Sequence, residues 1–414
     1  MIDGTRTAVD VVVVGGGIVG ACAALELAGA GARVEVIERG DGWGEGCSWG
    51  NAGLLVPSHA RPIAAPEALR SGLGWMLRPD SPFGLKLKPS LTPWLVRYLR
   101  ASTARRARAG EALQRELSRE SLALFQSLTE GGIDTGVRPR GCLTVHTSPD
   151  AEAHAAAEAA GETGRALGAE ALSGEQARAL EPSLTSAVRA AVLFPAEADC
   201  DPARLAPAVG AAAIERGASF RTRTEAYALA GGDGEVTVET TRGRIRAGHV
   251  VVAAGAWSGR LARTLGVRLP LQGGKGYAVE WEPAAAPLRI PVYLHDQRCV
   301  ANPMHDRTRV TGGLLLDGLD EQFDGRRVEA IAAAARTVLG VTAVPRLAWR
   351  GLRPCTPDGL PVIGAHRRAP RAVFATGHGM LGVTLAPLTG RLVSEIVAGT
   401  ASHRALEALS PERF

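Results

Sequence analysis

The sequence predicts an α/β fold, and three observations carry that expectation. Residues 11–14 are four consecutive valines, which leave no polar face and suit a parallel strand covered on both sides. Gly15, Gly17 and Gly20 follow as G-x-G-x-x-G, where such a strand would hand over to a helix. A second strand, residues 33–38, then ends on Glu38, 18 residues after Gly20. Strand, glycine turn, helix, strand and terminal acid in one register read as a dinucleotide-binding βαβ unit.

Each part has a mechanical reason. The glycines supply a tight turn, close approach of a pyrophosphate and close packing of helix on sheet. The helix over residues 21–28 begins with small residues, as that packing needs. Its free N–H groups and dipole favour phosphate, so Ile18 and Val19 join the three glycines as candidate contacts. Glu38 can accept hydrogen bonds from a ribose 2′-hydroxyl and would repel a 2′-phosphate; Arg39 adjoins it. The motif alone does not choose between FAD and NAD.

A chain of 414 residues exceeds one ordinary hydrophobic core, so two lobes are expected. The formal charge of +5 is spread out, and Lys86, Lys88 and Lys275 are the only lysines, so nearly all the basic charge is arginine. Aromatic residues are 4%, too few to interleave with a basic patch, which argues against nucleic acid as a partner. The six cysteines show no C-x-x-C pairing, which predicts reduced thiols, a cytoplasmic setting and no metal. No segment reaches the roughly 18 apolar residues of a membrane span, and residues 1–9 lack the pattern of a secretory signal.

After Glu38, residues 40–53 are too glycine-rich for a regular element and lie next to the expected nucleotide. Residues 57–93 read as a long proline-rich connection. Residues 94–128 read as one helix crowded with arginines on a solvated face. A strand (140–146), an alanine-rich helix (150–167) and a strand (191–194) come next. Asp201 and Pro202 then cap and open a helix running to residue 217. Residues 219–224 and 236–240 alternate as exposed or edge strands, and a second buried strand runs from residue 249 into small residues. Strands near 289–294, 299–303 and 310–316 and a helix over 330–338 make a second lobe, from which the chain returns over residues 349–364. Gly377, Gly379 and Gly382 repeat G-x-G-x-x-G after the strand 373–376, followed by helix to residue 398. The chain ends before a second strand and acid can form. The better reading is a helix N-terminus aimed at the far end of the same cofactor.

In this order the motifs resemble the D-amino-acid oxidase superfamily of FAD enzymes. The resemblance rests on the first glycine motif with Glu38, on residues 48–53 (Ser-Trp-Gly-Asn-Ala-Gly), on Asp201-Pro202 and on residues 250–258. Gly351-Leu-Arg-Pro354, Thr356-Pro-Asp-Gly359 and residues 377–384 complete it, and it spans nearly the whole chain. Asn51-Ala-Gly53 and Lys275-Gly-Tyr277 look most like the bacterial D-amino-acid dehydrogenases.

The resemblance implies a Rossmann-like FAD-binding domain built from discontinuous segments, residues 1–93, 195–268 and 345–414. It also implies a second, α+β substrate domain with a mixed sheet, residues 94–194 and 269–344. Ser48, Asn51, Ala52, Gly53 and Leu54, then Ala254, Gly255 and Trp257, would be further cofactor contacts. So would Gly377, Gly379, Met380, Leu381, Gly382, Val383 and Thr384. The implied reaction is oxidation of the Cα–N bond of a D-amino acid, cyclic ones of D-proline type included, with hydride passing to flavin N5. Electrons would then go to a quinone or other acceptor. The alternative is an oxygen-using oxidase of glycine, sarcosine or another secondary amine.

The resemblance puts Arg353 on the substrate carboxylate, with Arg350 competing for the role, and places Tyr277 and His378 at the site together with His59, Tyr293 and His295 as candidates for its lining. Some relatives attach flavin through a cysteine, but Gly351 occupies the matching place and Cys355 falls four residues later, so FAD is expected to be non-covalent. Leucine stands in residues 310–316 where relatives often carry glutamate. Any membrane contact is expected to be peripheral, at the inner face.

Overall fold

The structure, a computed structural model, describes residues 9–66, 83–86, 88–231 and 234–414. Residues 1–8 and 67–82, the latter the middle of the proline-rich connection, lie outside the described residues. Among those described, no helix is long and apolar enough to cross a membrane.

Val9–Val14 lies inside an eight-stranded sheet, with Val34–Ile37 and Gly243–Val252 as parallel neighbours. Ala369–Thr376 and Ser219–Arg221 extend the parallel part on either side. The valine run is covered on both faces, as its composition requires. Val11 and Val13 pack toward the helices Ile18–Gly29, Pro202–Glu215 and Ala386–Ala398, and Val12 and Val14 toward Leu261 and Phe374. Small residues let two of these helices close up: a Cβ on Gly390 would stand 2.6 Å from the Cys22 carbonyl.

Two edges differ from the sequence reading. Gly243–Val252 begins earlier than the buried run suggested, because its first half pairs antiparallel with Val236–Thr240. Beyond that lies Ala226–Gly231, a strand hidden from the sequence by its alanines and glycine, with Leu229 turned inward. Residues 219–224 are not its equivalent: only Ser219–Arg221 is strand, and on the opposite edge.

The second sheet has nine strands and is mixed. Its order runs Leu347–Cys355, Gln272–Trp281, Thr308–Leu316, Cys299–Pro303, Val292–Leu294, Cys142–His146, Ala190–Phe194, Glu170–Ser173, with Phe83–Leu85 also paired to Thr308–Leu316. Val292–Leu294 and Cys142–His146 are parallel, as are Phe83–Leu85 and Thr308–Leu316; the other pairs are antiparallel. Leu347–Cys355 therefore belongs to this sheet by hydrogen bonding, although its numbers fall in the segment 345–414. One face packs on the helix Gly325–Leu339 through Val279, Val310 and Leu294. The other face carries Arg353, Trp349 and Tyr293, as the strand register and the period of two dictate.

Two expected helices are broken. Residues 94–128 divide into Thr92–Ala101 and Ala104–Glu130, where the Ser102 hydroxyl donates to the Tyr98 carbonyl and the Thr103 hydroxyl accepts the Arg106 N–H. Residues 150–167 divide at Gly161 into Ala151–Ala160 and Glu162–Ala166. Asp201 does cap its helix, accepting from the Ala203 N–H with Pro202 at the first position.

Candidate active site

The first glycine turn is held by backbone approaches that no side chain permits. Gly15 has φ +111°, and a Cβ there would stand 2.5 Å from the Ala253 carbonyl oxygen; one on Gly20 would be driven into the Gly15 carbonyl. Gly17 caps the helix Ile18–Gly29 with no side-chain cap of its own. Ser48 Oγ, arriving from the glycine-rich loop, accepts the Ile18 N–H at 3.0 Å. Glu38 accepts the Gly16 N–H at 2.7 Å and the Gly40 N–H at 2.8 Å, so its carboxylate is anchored beside the turn with lone pairs to spare. Arg39 stacks over Trp257, 3.8 Å from the ring centroid, which draws the turn at Ala254 and Gly255 to the end of the second strand. A cradle that any Cβ would fill, a helix N-terminus and a fixed carboxylate suit a pyrophosphate and a ribose.

The second glycine segment converges on the same loop. Thr384 Oγ1 donates to the Leu54 carbonyl at 3.1 Å, and Thr376 Oγ1 to the Gly255 carbonyl at 2.9 Å. Asn51 accepts the Gly53 N–H at 2.8 Å and reaches toward the Met380 carbonyl. Ala52 is held through its carbonyl by Asn302 Nδ2 at 2.8 Å. The expected helix directly after Gly382 is absent. Residues 377–385 run as turns, with Leu381 and Val383 buried, and the helix Ala386–Ala398 starts later. The reason is local: Gly377 and Gly379 take left-handed φ values of +77° and +55°, and the Leu385 N–H closes on Leu381 before regular helix begins.

His378 is buried, and its Nε2 lies 3.0 Å from Thr389 Oγ1. That hydroxyl already donates to the Leu385 carbonyl, so His378 donates from Nε2 and keeps Nδ1 as the acceptor. Burial pushes its pKa down to about 4, which leaves the ring neutral. The imidazole also lines a narrow cleft with His59, Ile63, Leu314, Cys355 and Met380.

The two candidate arginines separate cleanly. Arg350 is tied to Glu321 at 2.8 Å. Arg353 meets no carboxylate among the described residues; its Nη1 donates to the Gly313 carbonyl at 2.7 Å, and the guanidinium lies over Gly276, where a Cβ would collide with it. Tyr277 is not brought to Arg353. It pairs across the strands with Arg350, so the alternation of the sheet turns it to the opposite face, where it is buried under Gly325–Leu339 and Phe323. Tyr293 does share the Arg353 face and stacks edge-on against His59, with ring centroids 4.4 Å apart.

Sequence reasoning missed Arg309. It is fully buried, ion-paired with Glu280 at 2.7 Å, and donates to the Asn51 carbonyl at 3.0 Å and to the Trp49 carbonyl while lying over the Trp49 ring. It thereby positions the 49–51 stretch of the loop. The only signal was an arginine on an inward register of a strand, in a chain full of arginines.

The model of the DAO family, described as FAD dependent oxidoreductase, matches residues 10–396. The chain belongs to that family. It is similar to a D-amino acid dehydrogenase of Paramagnetospirillum magneticum, with 32% identity covering 98% of both chains. A D-amino-acid oxidase of Bradyrhizobium diazoefficiens is 30% identical, again covering 98% of both. Among solved structures, glycine oxidase from Geobacillus kaustophilus superposes with a TM-score of 0.75 at 26% identity, covering 99% of this chain and 100% of that one. The chain is thus an FAD-dependent oxidoreductase, and the glycine cradle, Glu38 and the loop at Ser48 are chemically suited to that cofactor.

Proposed function

We propose that the protein oxidises the Cα–N bond of a D-amino acid to the imino acid, which water then converts to a 2-oxo acid and ammonia. The observation that carries this reading is Arg353. It is a guanidinium without a carboxylate partner among the described residues, set on a glycine-paved face of the second sheet, while its neighbour Arg350 is already neutralised by Glu321. A guanidinium so placed binds a carboxylate through two parallel N–H donors and so fixes the direction of the Cα–H bond. FAD, when bound, supplies the acceptor for the two electrons that leave Cα. The neutral His378, with Nδ1 as acceptor, and the buried Leu381 themselves bring no charge to the cleft they line. Gly351, at the position where some relatives carry a flavin-attaching cysteine, supports non-covalent attachment; flavin that stays on the polypeptide after acid precipitation would overturn it.

Leu314 in the cleft wall favours an apolar or cyclic side chain, D-proline among them. The names of the sequence relatives support the D-series. The glycine oxidase likeness favours a second reading, an oxygen-using oxidase of glycine or another small amine. The test is a panel of D- and L-amino acids and N-methylglycine, scored by anaerobic bleaching of the flavin and then by peroxide release in air. Bleaching by D-amino acids without stoichiometric peroxide supports a dehydrogenase passing electrons to a quinone or other acceptor. Bleaching by N-methylglycine or glycine with stoichiometric peroxide supports the second reading.

A further inference from the structure

Five strands along the second sheet from Arg353, on the same face and next to Tyr293, lies a further group of polar side chains. His146 ends the strand Cys142–His146, and His295 directly follows Val292–Leu294. These strands are parallel, with Val145 opposite Leu294, so the two histidines lie side by side on one face. Their ring centroids are 4.5 Å apart with planes tilted by 35°. One ligand atom from each of His146, His295 and Asp296 falls within 4.8 Å of the others. The helix Ala151–Ala160 covers this end and contributes His154 and Glu158, four residues apart and so on one helix face. Glu158 Oε2 lies 3.2 Å from His146 Nε2, and the His154 ring centroid 6.3 Å from that of His146.

The decisive feature is His146. It is 1% exposed; its Nε2 reaches the Glu158 carboxylate, but its Nδ1 has no hydrogen-bond partner. A buried polar atom left without a partner is costly, and such atoms are uncommon in folded proteins. We infer that His146, His295 and Asp296, with Glu158 beside His146, form a binding site for a divalent transition-metal cation of the Zn²⁺ class.

The donor chemistry suits that ion. Two imidazole nitrogens with carboxylate oxygens are a borderline set that favours Zn²⁺ and its neighbours over Mg²⁺ or Ca²⁺. Asp296 is also oriented as a ligand would be: Thr147 N–H, Thr147 Oγ1 and Ser148 N–H all donate to Oδ2, at 2.7, 2.8 and 3.2 Å. His295 is half-buried and Asp296 exposed, which gives the ion an entry path.

From the strand of Arg353 to that of His146 is five inter-strand spacings, or roughly 24 Å at about 4.8 Å each. The ion pins the covering helix to the ends of two strands. The test is calorimetric titration of Zn²⁺ into chelator-treated holoenzyme, with flavin absorbance as the check on folding. The expected result is one equivalent per chain, a rise in Tm on saturation, and affinity at least tenfold weaker in His295→Gln and in Asp296→Asn. The half-buried and exposed positions are chosen because they are the least prone to unfold the chain; His146→Gln should abolish binding. No binding by the wild type would overturn the inference. So would binding unchanged in His295→Gln and Asp296→Asn, or binding lost on thiol alkylation but insensitive to these variants.

Discussion

Two segments of this chain carry the same G-x-G-x-x-G spelling, and they are built by different physics. At Gly15–Gly20 a strand, a turn and a helix meet so closely that the backbone itself excludes any Cβ. At Gly377–Gly382 the glycines serve left-handed φ at Gly377 and Gly379, and only Gly377 is also closed by a neighbour, the Thr356 side chain 2.7 Å from where its Cβ would stand. Gly382 has ordinary φ and its nearest contact would be His378 Cβ at 3.6 Å. The pattern marks a place where backbone must come near something. Only the surrounding chain decides whether that something is protein or ligand.

The largest effect should come from the first segment. Gly20→Ala forces a Cβ into the Gly15 carbonyl, and neither backbone can yield without moving the strand Val9–Val14 or the helix after it. We expect a loss of several kcal/mol, in the upper range for single substitutions, read as a colourless or insoluble product. A yellow, fully stable Gly20→Ala protein would remove the distinction between the segments.

Next in size is Arg353→Ala. Loss of a charge-assisted carboxylate contact of about 1.5–3 kcal/mol, with the positioning it gives, should cut kcat/KM by roughly 10²-fold or more while FAD is retained. Arg350→Ala should cost less than about threefold, since its exposed pair with Glu321 is worth little. Steady-state kinetics on both variants decides between them. Equal losses would sink the carboxylate role of Arg353.

The second segment also carries a titrating group, and the first does not. His378 is pushed down to about 4, against an ordinary value near 6.5 in the unfolded chain. Between these values the unfolded chain binds a proton that the folded one refuses. Stability is therefore fully present above about pH 6.5 and falls as pH drops toward 4, by on the order of 3 kcal/mol. His59 and His295, also pushed to about 4, add to the same slope. Glu197 works in the opposite direction: burial raises it to about 8, so its contribution is lost as pH rises from about 4.5 to 8. Urea midpoints measured between pH 4 and 8 should fall on the acid side, less steeply in His378→Gln. Glu197→Gln should flatten the decline above pH 6.5.

What was legible in the sequence follows the same division. Period and composition exposed the valine strand, the glycine turn, Glu38 and the Asp201 cap, because each is a local requirement met by adjacent residues. The mixed second sheet was reached through the resemblance. Tyr277 was misplaced because the face a strand residue occupies depends on pairing with distant strands: opposite Arg350, it cannot share a face with Arg353. Arg309 and Glu280 stayed invisible for a related reason, since burial of an ion pair is decided by the loop that lands on it. The start of the last helix was set by the backbone turn at Leu381–Leu385, which glycine spacing does not encode.

The smallest expected change in stability is also the sharpest probe of the comparison. Gly382→Ala meets only a 3.6 Å contact at permitted φ, so the cofactor-free protein should keep its Tm or gain the few tenths of a kcal/mol typical of a reduced unfolded-state entropy. If residues 377–384 press against the cofactor, the same methyl group should weaken FAD binding by about tenfold, or about 1.4 kcal/mol. Fluorescence titration of FAD into the apo-protein, alongside its thermal unfolding, separates the two. Unchanged affinity with unchanged Tm would mean that this glycine faces neither protein nor flavin, and that the second spelling owes its form to Gly377 and Gly379 alone.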